Sequence, residues 1–204
     1  PVVNGNGIVS LDMDCKTLPQ VKLAESSFDD DFSEKKLGFE WCHLCNPNMK
    51  NYSLIERPGF MRLKASTVSI NEIDSPTFMG RRQQHINFVA TTALDVDELK
   101  ENAEAGLSVY MSNNYHYDIS VVSKGGHKFL TLLYFIGSMR HVEKEIELNK
   151  NQVFLRVAGN ADYYTFYSVD ALLQSGKAKK GDLIYFEADF TKPNYDCHIG
   201  FFWG

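Results

Sequence analysis

Between Ser75 and Asp118 the chain concentrates side chains suited to holding a small polar ligand. Arg81, Gln83, His85 and Asn87 recur at every second position, the spacing that lines one face of a pleated strand. On this reading Ile86, Phe88 and Ala90 turn the other way, into a core. Tyr115 and Tyr117 repeat the spacing on what reads as a neighbouring strand. Guanidinium, amide, imidazole and phenol groups on one surface supply planar hydrogen-bonding groups and ring faces of the kind that suit sugars. The plainer reading is the solvated outer face of an antiparallel sheet. His85 and His116, if brought together across strands, would furnish a metal site or a general base; otherwise they are hydrogen-bonded members of a polar face.

Other reactive groups are less organised. Asp12 with Asp14, Asp29 with Asp31 and Asp95 with Asp97 each share one side of an extended segment. Acid and base carboxylates must face each other across a cleft, roughly 5–10 Å apart, and solvation explains these loop and terminal pairs more cheaply. The run Asp29-Asp30-Asp31 reads as a solvated edge or cap, with a structural calcium bound by hard oxygen ligands as the alternative; no other cofactor is expected. Cys42-His43-Leu44-Cys45 has the spacing of a redox pair or half a zinc site, but no second such pair follows, and Cys15 and Cys197 are distant. Free thiols or a local disulfide are therefore favoured. None of the six histidines forms a metalloprotease motif, and no nucleophile elbow, phosphate loop or dinucleotide fingerprint occurs.

The elements that must position these groups are strands. In 204 residues the chain is 44% hydrophobic and 13% aromatic but only 23% charged, a balance that favours sheet over helix. With a formal charge of −5 and scattered Lys and Arg, it has no basic field for nucleic acid. No apolar run is long enough to span a membrane as a helix. Pro1 to Gly7 lacks a basic and apolar leader, but a chain beginning internally would hide one. Cytoplasmic, periplasmic and secreted locations all stay open.

The alternation predicts a long strand over about Phe78–Thr92, an acidic loop at Asp95–Glu104 with a helical turn from Glu98, and a hairpin turned at Ser112-Asn113-Asn114. Shorter strands are expected at Ile8–Met13, Phe39–Trp41, Tyr52–Glu56, Phe60–Ala65, Lys128–Phe135, Arg140–Leu148, Val153–Ala158, Tyr163–Ser168, Leu183–Glu187 and Tyr195–Trp203. Asp170–Leu173 reads as a short turn of helix and Lys177–Gly181 as a surface loop. About a dozen strands without a long amphipathic helix imply an all-β, two-sheet antiparallel jelly-roll sandwich.

Several segments carry a resemblance. FDDDFSEKKLGFEW (28–41), NPNMKNYSLIERPGFMRLKA (46–65), DSPTFMGRRQQHINFVATTALDV (74–96), EAGLSVYMSNNYHYDISV (104–121) and QVFLRVAGNADYYTFYSVD (152–170) closely resemble the C-terminal domain of family 43 glycoside hydrolases, the β-xylosidases and α-arabinofuranosidases. The resemblance implies a concanavalin A-like sandwich over residues 25–204. PVVNGNG at the start is similar to the last strand and exit linker of that family's five-bladed catalytic propeller, which makes 1–24 a remnant of an upstream domain. The acidic trio that performs inverting hydrolysis would then lie upstream, and this chain alone is expected to be inactive.

The resemblance also implies partners, namely that propeller and an oligosaccharide containing xylose or arabinose. In relatives a loop before the final strand reaches the substrate pocket with an aromatic side chain. Here the matching stretch is Asp189–Ile199, in which Tyr195 takes the aromatic role and His198 adjoins the Ile-Gly step. Relatives have a Gly-rich segment at this place, a DG turn followed by Trp where this chain has Asp170-Ala171-Leu172-Leu173, and a further aromatic strand beyond the point matching Gly204. Expected sugar contacts are thus Arg81, Gln83, His85, Tyr115, Tyr117, Tyr195 and His198. Two other classes stay open: an autonomous carbohydrate-binding module, and a structural or protein-interaction sandwich.

Overall fold

The computed structural model describes Pro19 and residues 27–168 in full, together with the backbone of 184–189 and 195–202. The strand expected at Ile8–Met13, most of the 1–24 segment, the helical turn at Asp170–Leu173 and the loop at Lys177–Gly181 lie outside the described residues.

Thirteen strands are present among the described residues. In chain order they are β1 (Cys42–His43), β2 (Tyr52–Ser53), β3 (Met61–Lys64), β4 (Thr77–Arg82), β5 (Phe88–Asp95), β6 (Ala103–Ser112), β7 (Tyr115–Lys124), β8 (His127–Ile136), β9 (Met139–Glu147), β10 (Gln152–Gly159), β11 (Tyr164–Ser168), β12 (Ile184–Asp189) and β13 (Tyr195–Phe202). They form a seven-stranded sheet, β1-β4-β13-β6-β7-β8-β9, and a six-stranded sheet, β11-β10-β5-β12-β3-β2. Ladders are antiparallel except where β12 and β13 run parallel to both of their neighbours. The arrangement is the two-sheet jelly-roll sandwich expected from the strand pattern, of the concanavalin A-like kind that the resemblance implies.

Alternation sets the core. Ala103, Ala105, Leu107 and Val109 of β6, Ile119 and Val121 of β7, Leu94 of β5, Met61 and Leu63 of β3, and Val153, Leu155 and Val157 of β10 all point between the sheets and are buried. Opposite them on β6, Ser108 and Tyr110 face away from that core, yet they too are inaccessible. A smaller cluster of Ile70, Phe78 and Tyr110 covers that side. The outer face of the seven-stranded sheet is therefore roofed, in part by the 66–76 segment. Gly106 sits on this face with no room to spare, because a Cβ there would come within 2.6 Å of the Ser120 backbone.

The long strand predicted over Phe78–Thr92 is two strands in different sheets. β4 ends at Arg82, the chain turns through 83–87, and β5 begins at Phe88. Gln83 donates from Nε2 to the His85 carbonyl at 2.9 Å, closing a local turn where a ladder bond would otherwise form. Ile86 is exposed on this corner, and Val89 is exposed on the outward side of β5. The helical turn expected from Glu98 is a non-helical turn leading into β6 at Ala103. Trp41 is buried just before β1, where its indole N–H donates to Asp30 at 2.7 Å. The backbone of β13 continues through Gly200 without interruption. β9 is exposed along its whole length, as expected of an outer strand, and its charged side chains blunt an open sheet edge.

Candidate functional site

One end of the sandwich collects aromatic rings. Register places Arg81, Phe201, Val109, Tyr117, Tyr134 and His141 in a single row across β4, β13, β6, β7, β8 and β9. The Tyr117 ring lies 6.3 Å from Tyr134 and 6.0 Å from Tyr164 of the other sheet, and Tyr164 in turn lies 6.1 Å from Phe88. Burial, followed by the neighbouring Tyr117 phenol, pushes the Tyr164 hydroxyl above its ordinary pKa. Tyr115 and Tyr117 remain exposed. This is a ring surface open to solvent at the mouth between the sheets.

Arg81 does not join the tyrosines. It shares the inward side of β4 with the core residue Met79, and its guanidinium stacks 3.7 Å above the Phe28 ring. Three strand spacings, about 14 Å, separate it from Tyr117. Burial lowers its pKa while the charge of Glu40 opposes the shift. Gln83 and His85 lie on the corner between β4 and β5 rather than on a strand face, because the strand ends at Arg82. A single wet strand face bearing Arg81, Gln83, His85 and Asn87 therefore does not exist.

His116 is 1% exposed, and both of its ring nitrogens are engaged. Nδ1 lies 2.7 Å from Asp118 Oδ2, and Nε2 lies 2.8 Å from the Asn71 side-chain nitrogen. Donation from Nδ1–H to the carboxylate and acceptance at Nε2 from the amide satisfy both contacts with a neutral ring. No nitrogen is left for His85, which excludes the His85–His116 metal site. Ser108 Oγ donates to Asp118 Oδ1, and the Ser69 hydroxyl donates to the Asn71 amide oxygen. Asn71 also exchanges bonds with Asn113, at 3.3 Å to its carbonyl and 3.2 Å from its amide. Rings of Phe135 and Tyr110 flank the imidazole at 4.6 and 5.9 Å. Since Ser108 bonds to the aspartate and not to the imidazole, the chain of contacts cannot activate the serine as a nucleophile.

A pocket of about 210 Å³ opens beside this network, lined by Ser69, Ile70, Asn71, Glu104, Asp118, Leu133, Phe135 and Arg140. A bulge explains how Arg140 arrives there. Leu132 pairs with Lys144 but Leu133 with Val142, so Glu143 is an extra residue in β9. Beyond it, Arg140 pairs with Phe135 and shares the outer face.

Tyr195 and His198 occupy β13, whose side chains are not described. Tyr195 pairs with Ala103, and His198 with Phe78 and Gly106. Phe201, in the row of Tyr117, lies six positions beyond Tyr195, about 20 Å along a strand. Tyr195 thus lies at the opposite end of β13 from the row of Tyr117, with His198 midway between them.

The remaining candidates resolve locally. Asp30 accepts from both Trp41 and the Phe32 amide, holding Phe32 at φ 52°. Bonds from the Ser33 hydroxyl and amide keep the Asp31 carboxyl below the usual carboxylate range. Among the described residues no group of three or more His, Cys, Asp or Glu is placed to hold a metal. Cys42 and Cys45 are free thiols; Cys42 contacts the Gly80 carbonyl at 3.0 Å, and burial raises its pKa. Asp95 engages Arg57 at 3.3 Å and accepts from the Asp97 amide at 2.9 Å, a turn-forming pair rather than an acid and base.

Asn71, Glu104, Ser108, Asp118 and Arg140 were not singled out by the sequence. Polar residues at alternate positions on both arms of the hairpin, Glu104-Gly106-Ser108 and His116-Asp118-Ser120, were the available signal. Nothing local marks Asn71, which reaches the hairpin from 42 residues away.

Comparison with known proteins matches residues 29–204 to the family described as the β-xylosidase C-terminal concanavalin A-like domain. A non-reducing end α-L-arabinofuranosidase of Bacteroides ovatus, BoGH43B, is 34% identical over 128 residues, which are 63% of this chain and 24% of that protein. The solved Bacteroides ovatus xyloglucan-locus GH43B is similar with a TM-score of 0.64 and 30% identity, covering 74% of this chain and 32% of that one. BlXynB of Bacillus licheniformis is similar with a TM-score of 0.66 and 28% identity over 74% of this chain and 29% of that one. The chain thus spans between a quarter and a third of the length of these relatives. No helix of the described residues is long and apolar enough to cross a membrane. A family match over nearly the whole described sandwich, with structural similarity to family 43 enzymes, makes this chain a member of the β-xylosidase C-terminal concanavalin A-like family, the accessory C-terminal domain of family 43 glycoside hydrolases.

Proposed function

We propose that the chain serves an enzyme that releases xylose or arabinose from short oligosaccharides, by docking against an upstream five-bladed propeller and completing its substrate pocket. The supporting observation is the family match over 29–204 together with coverage of only 24–32% of the relatives. In this reading 1–24 is the propeller's last strand and exit linker. Water displaces the glycosidic oxygen with inversion, using an acid and a base from the propeller. The start of β13, with Tyr195 and His198, faces the pocket and limits the space beyond the first sugars.

A second reading, an autonomous sugar-binding module, draws support from the exposed rings of Tyr115 and Tyr117 beside Tyr134 and Tyr164. Exposed rings stack on the apolar faces of sugars, and Gln83 and His85 at the same end supply polar contacts.

The test measures hydrolysis of nitrophenyl β-xyloside and α-arabinofuranoside by the chain alone and joined to a family 43 propeller. The chain alone is expected to be inactive. In the joined protein, Tyr195→Ala is expected to change KM for trisaccharide relative to disaccharide while leaving kcat nearly constant. Turnover by the chain alone, or equal KM values in the variant, overturns the pocket-completing role.

A further inference from the structure

The pocket beside Asp118 is on the far side of the seven-stranded sheet from the tyrosine rings, and neither reading above uses it. It mixes groups that usually partner one another. Asp118 is 98% buried (2% exposed) and accepts one hydrogen bond at each oxygen, from Ser108 and His116. A carboxylate carries about four lone-pair positions, so further acceptor capacity remains on a group that lines the cavity. Glu104 supplies a second carboxylate, and its Oε1 accepts from Ser120 at 2.5 Å. Arg140 supplies a fork of donors; its guanidinium lies 5.9 Å from the Phe135 ring centre and has no ion-pair partner among the described residues. Ile70, Leu133 and Phe135 complete the lining, but the surface the pocket exposes is almost entirely polar.

These features select a ligand class. An anion would meet two carboxylates and a cation would meet Arg140, so neither charge is well matched. A neutral molecule with adjacent hydroxyls can donate to Asp118 and Glu104 while accepting from Arg140, which suits a surface this polar. At about 210 Å³ the pocket is smaller than the roughly 300 Å³ at which cavities for drug-sized ligands begin, which suits one sugar ring and not a chain. We propose that this pocket is a separate binding site for a single neutral monosaccharide, held between Asp118, Glu104 and Arg140. The choice of pentoses as first probes rests on the proposed function; the site itself does not.

Titration of the 204-residue chain with D-xylose, L-arabinose, D-glucose, calcium chloride and sodium acetate, followed by amide chemical shifts, tests this. A neutral sugar is expected to shift amides around Asn71, Glu104 and Arg140 with low-millimolar affinity. Arg140→Gln, at an exposed position that leaves the fold intact, is expected to weaken binding about tenfold or more, which is roughly 1.4 kcal/mol. Tyr117→Ala is expected to leave the shifts around Asn71, Glu104 and Arg140 unchanged, whatever it does at the tyrosine rings. Four outcomes overturn the proposal: no sugar binding, sugar binding lost in Tyr117→Ala but kept in Arg140→Gln, shifts at these residues only with calcium, or shifts only with acetate. Glucose binding as tight as that of the pentoses supports the site while counting against the pentose reading, so the two fail separately.

Discussion

Asp118→Ala is the sharpest probe of what holds the roofed face together. The aspartate is 2% exposed and accepts from Ser108 and from His116 Nδ1, the latter at 2.7 Å. Removing it takes this acceptor from two donors on a buried surface, and a buried donor left unsatisfied costs about 1–3 kcal/mol. The adjoining pocket admits water, and the Ser108 hydroxyl can rotate, so the lower half of the summed range applies, about 2–4 kcal/mol. For a domain of this size each kcal/mol lowers Tm by about 2–4 °C, which predicts a fall of roughly 5–15 °C in thermal denaturation. Asp118→Asn retains one acceptor oxygen and should lose less. A double-mutant cycle with His116→Phe adds a stricter test, because the aromatic replacement removes one of the stranded donors. The penalties should then fall short of additive by at least about 0.5 kcal/mol. Stability of Asp118→Ala within about 0.5 kcal/mol of the parent, the range of an ordinary surface change, would refute the reasoning. It would show that water replaces the carboxylate at no cost and that the network is not what fixes the 66–76 segment.

Two further perturbations test the same face. Gly106→Ala should destabilise by about 1–3 kcal/mol, read as a lower urea midpoint at unchanged slope, because its new Cβ would meet Ser120 and the Ile119 carbonyl at 2.5–2.6 Å. Tyr110, 6% exposed, has its phenol pushed from 10.0 up to about 12, chiefly by burial and then by the charges of Cys45 and Asp118. Between those values the unfolded state has lost the proton and the folded state keeps it, so stability should fall as pH rises from 10 to 12. The total is on the order of 2–3 kcal/mol; Tyr110→Phe should flatten this alkaline slope, and an unchanged slope in the variant would assign it to other groups.

The sequence made the sandwich legible because strand alternation is a local signal. Ala103, Ala105, Leu107 and Val109 announce a buried face with no knowledge of what covers them. The corner at 83–87 was hidden for the same reason. Arg81, Gln83, His85 and Asn87 keep a spacing of two through it, and spacing alone cannot say that the second half joins the other sheet. The tyrosine surface was half visible: Tyr115 and Tyr117 stood out, whereas Tyr164 reaches them only by closure of the two sheets at 6.0 Å. The buried Asn71–His116–Asp118–Ser108 network was least legible, because it depends on a loop 45 residues from His116 folding over what looked like an open polar face.

Register also bears on how the functional readings relate. Pocket completion assigns its contacts to the start of β13, where Tyr195 pairs with Ala103. A binding module assigns them to the row of Tyr117 and Phe201, about 20 Å further along. One bound pentose cannot span that distance, so Tyr195 and Tyr117 cannot serve the same sugar within one domain. The readings are therefore compatible: a sandwich docked by its Tyr195 end leaves the tyrosine rings at its far end. On that arrangement Tyr117→Ala should leave hydrolysis of a short nitrophenyl glycoside untouched, whereas a polymeric substrate, long enough to reach the far end, is the only one on which the rings can act.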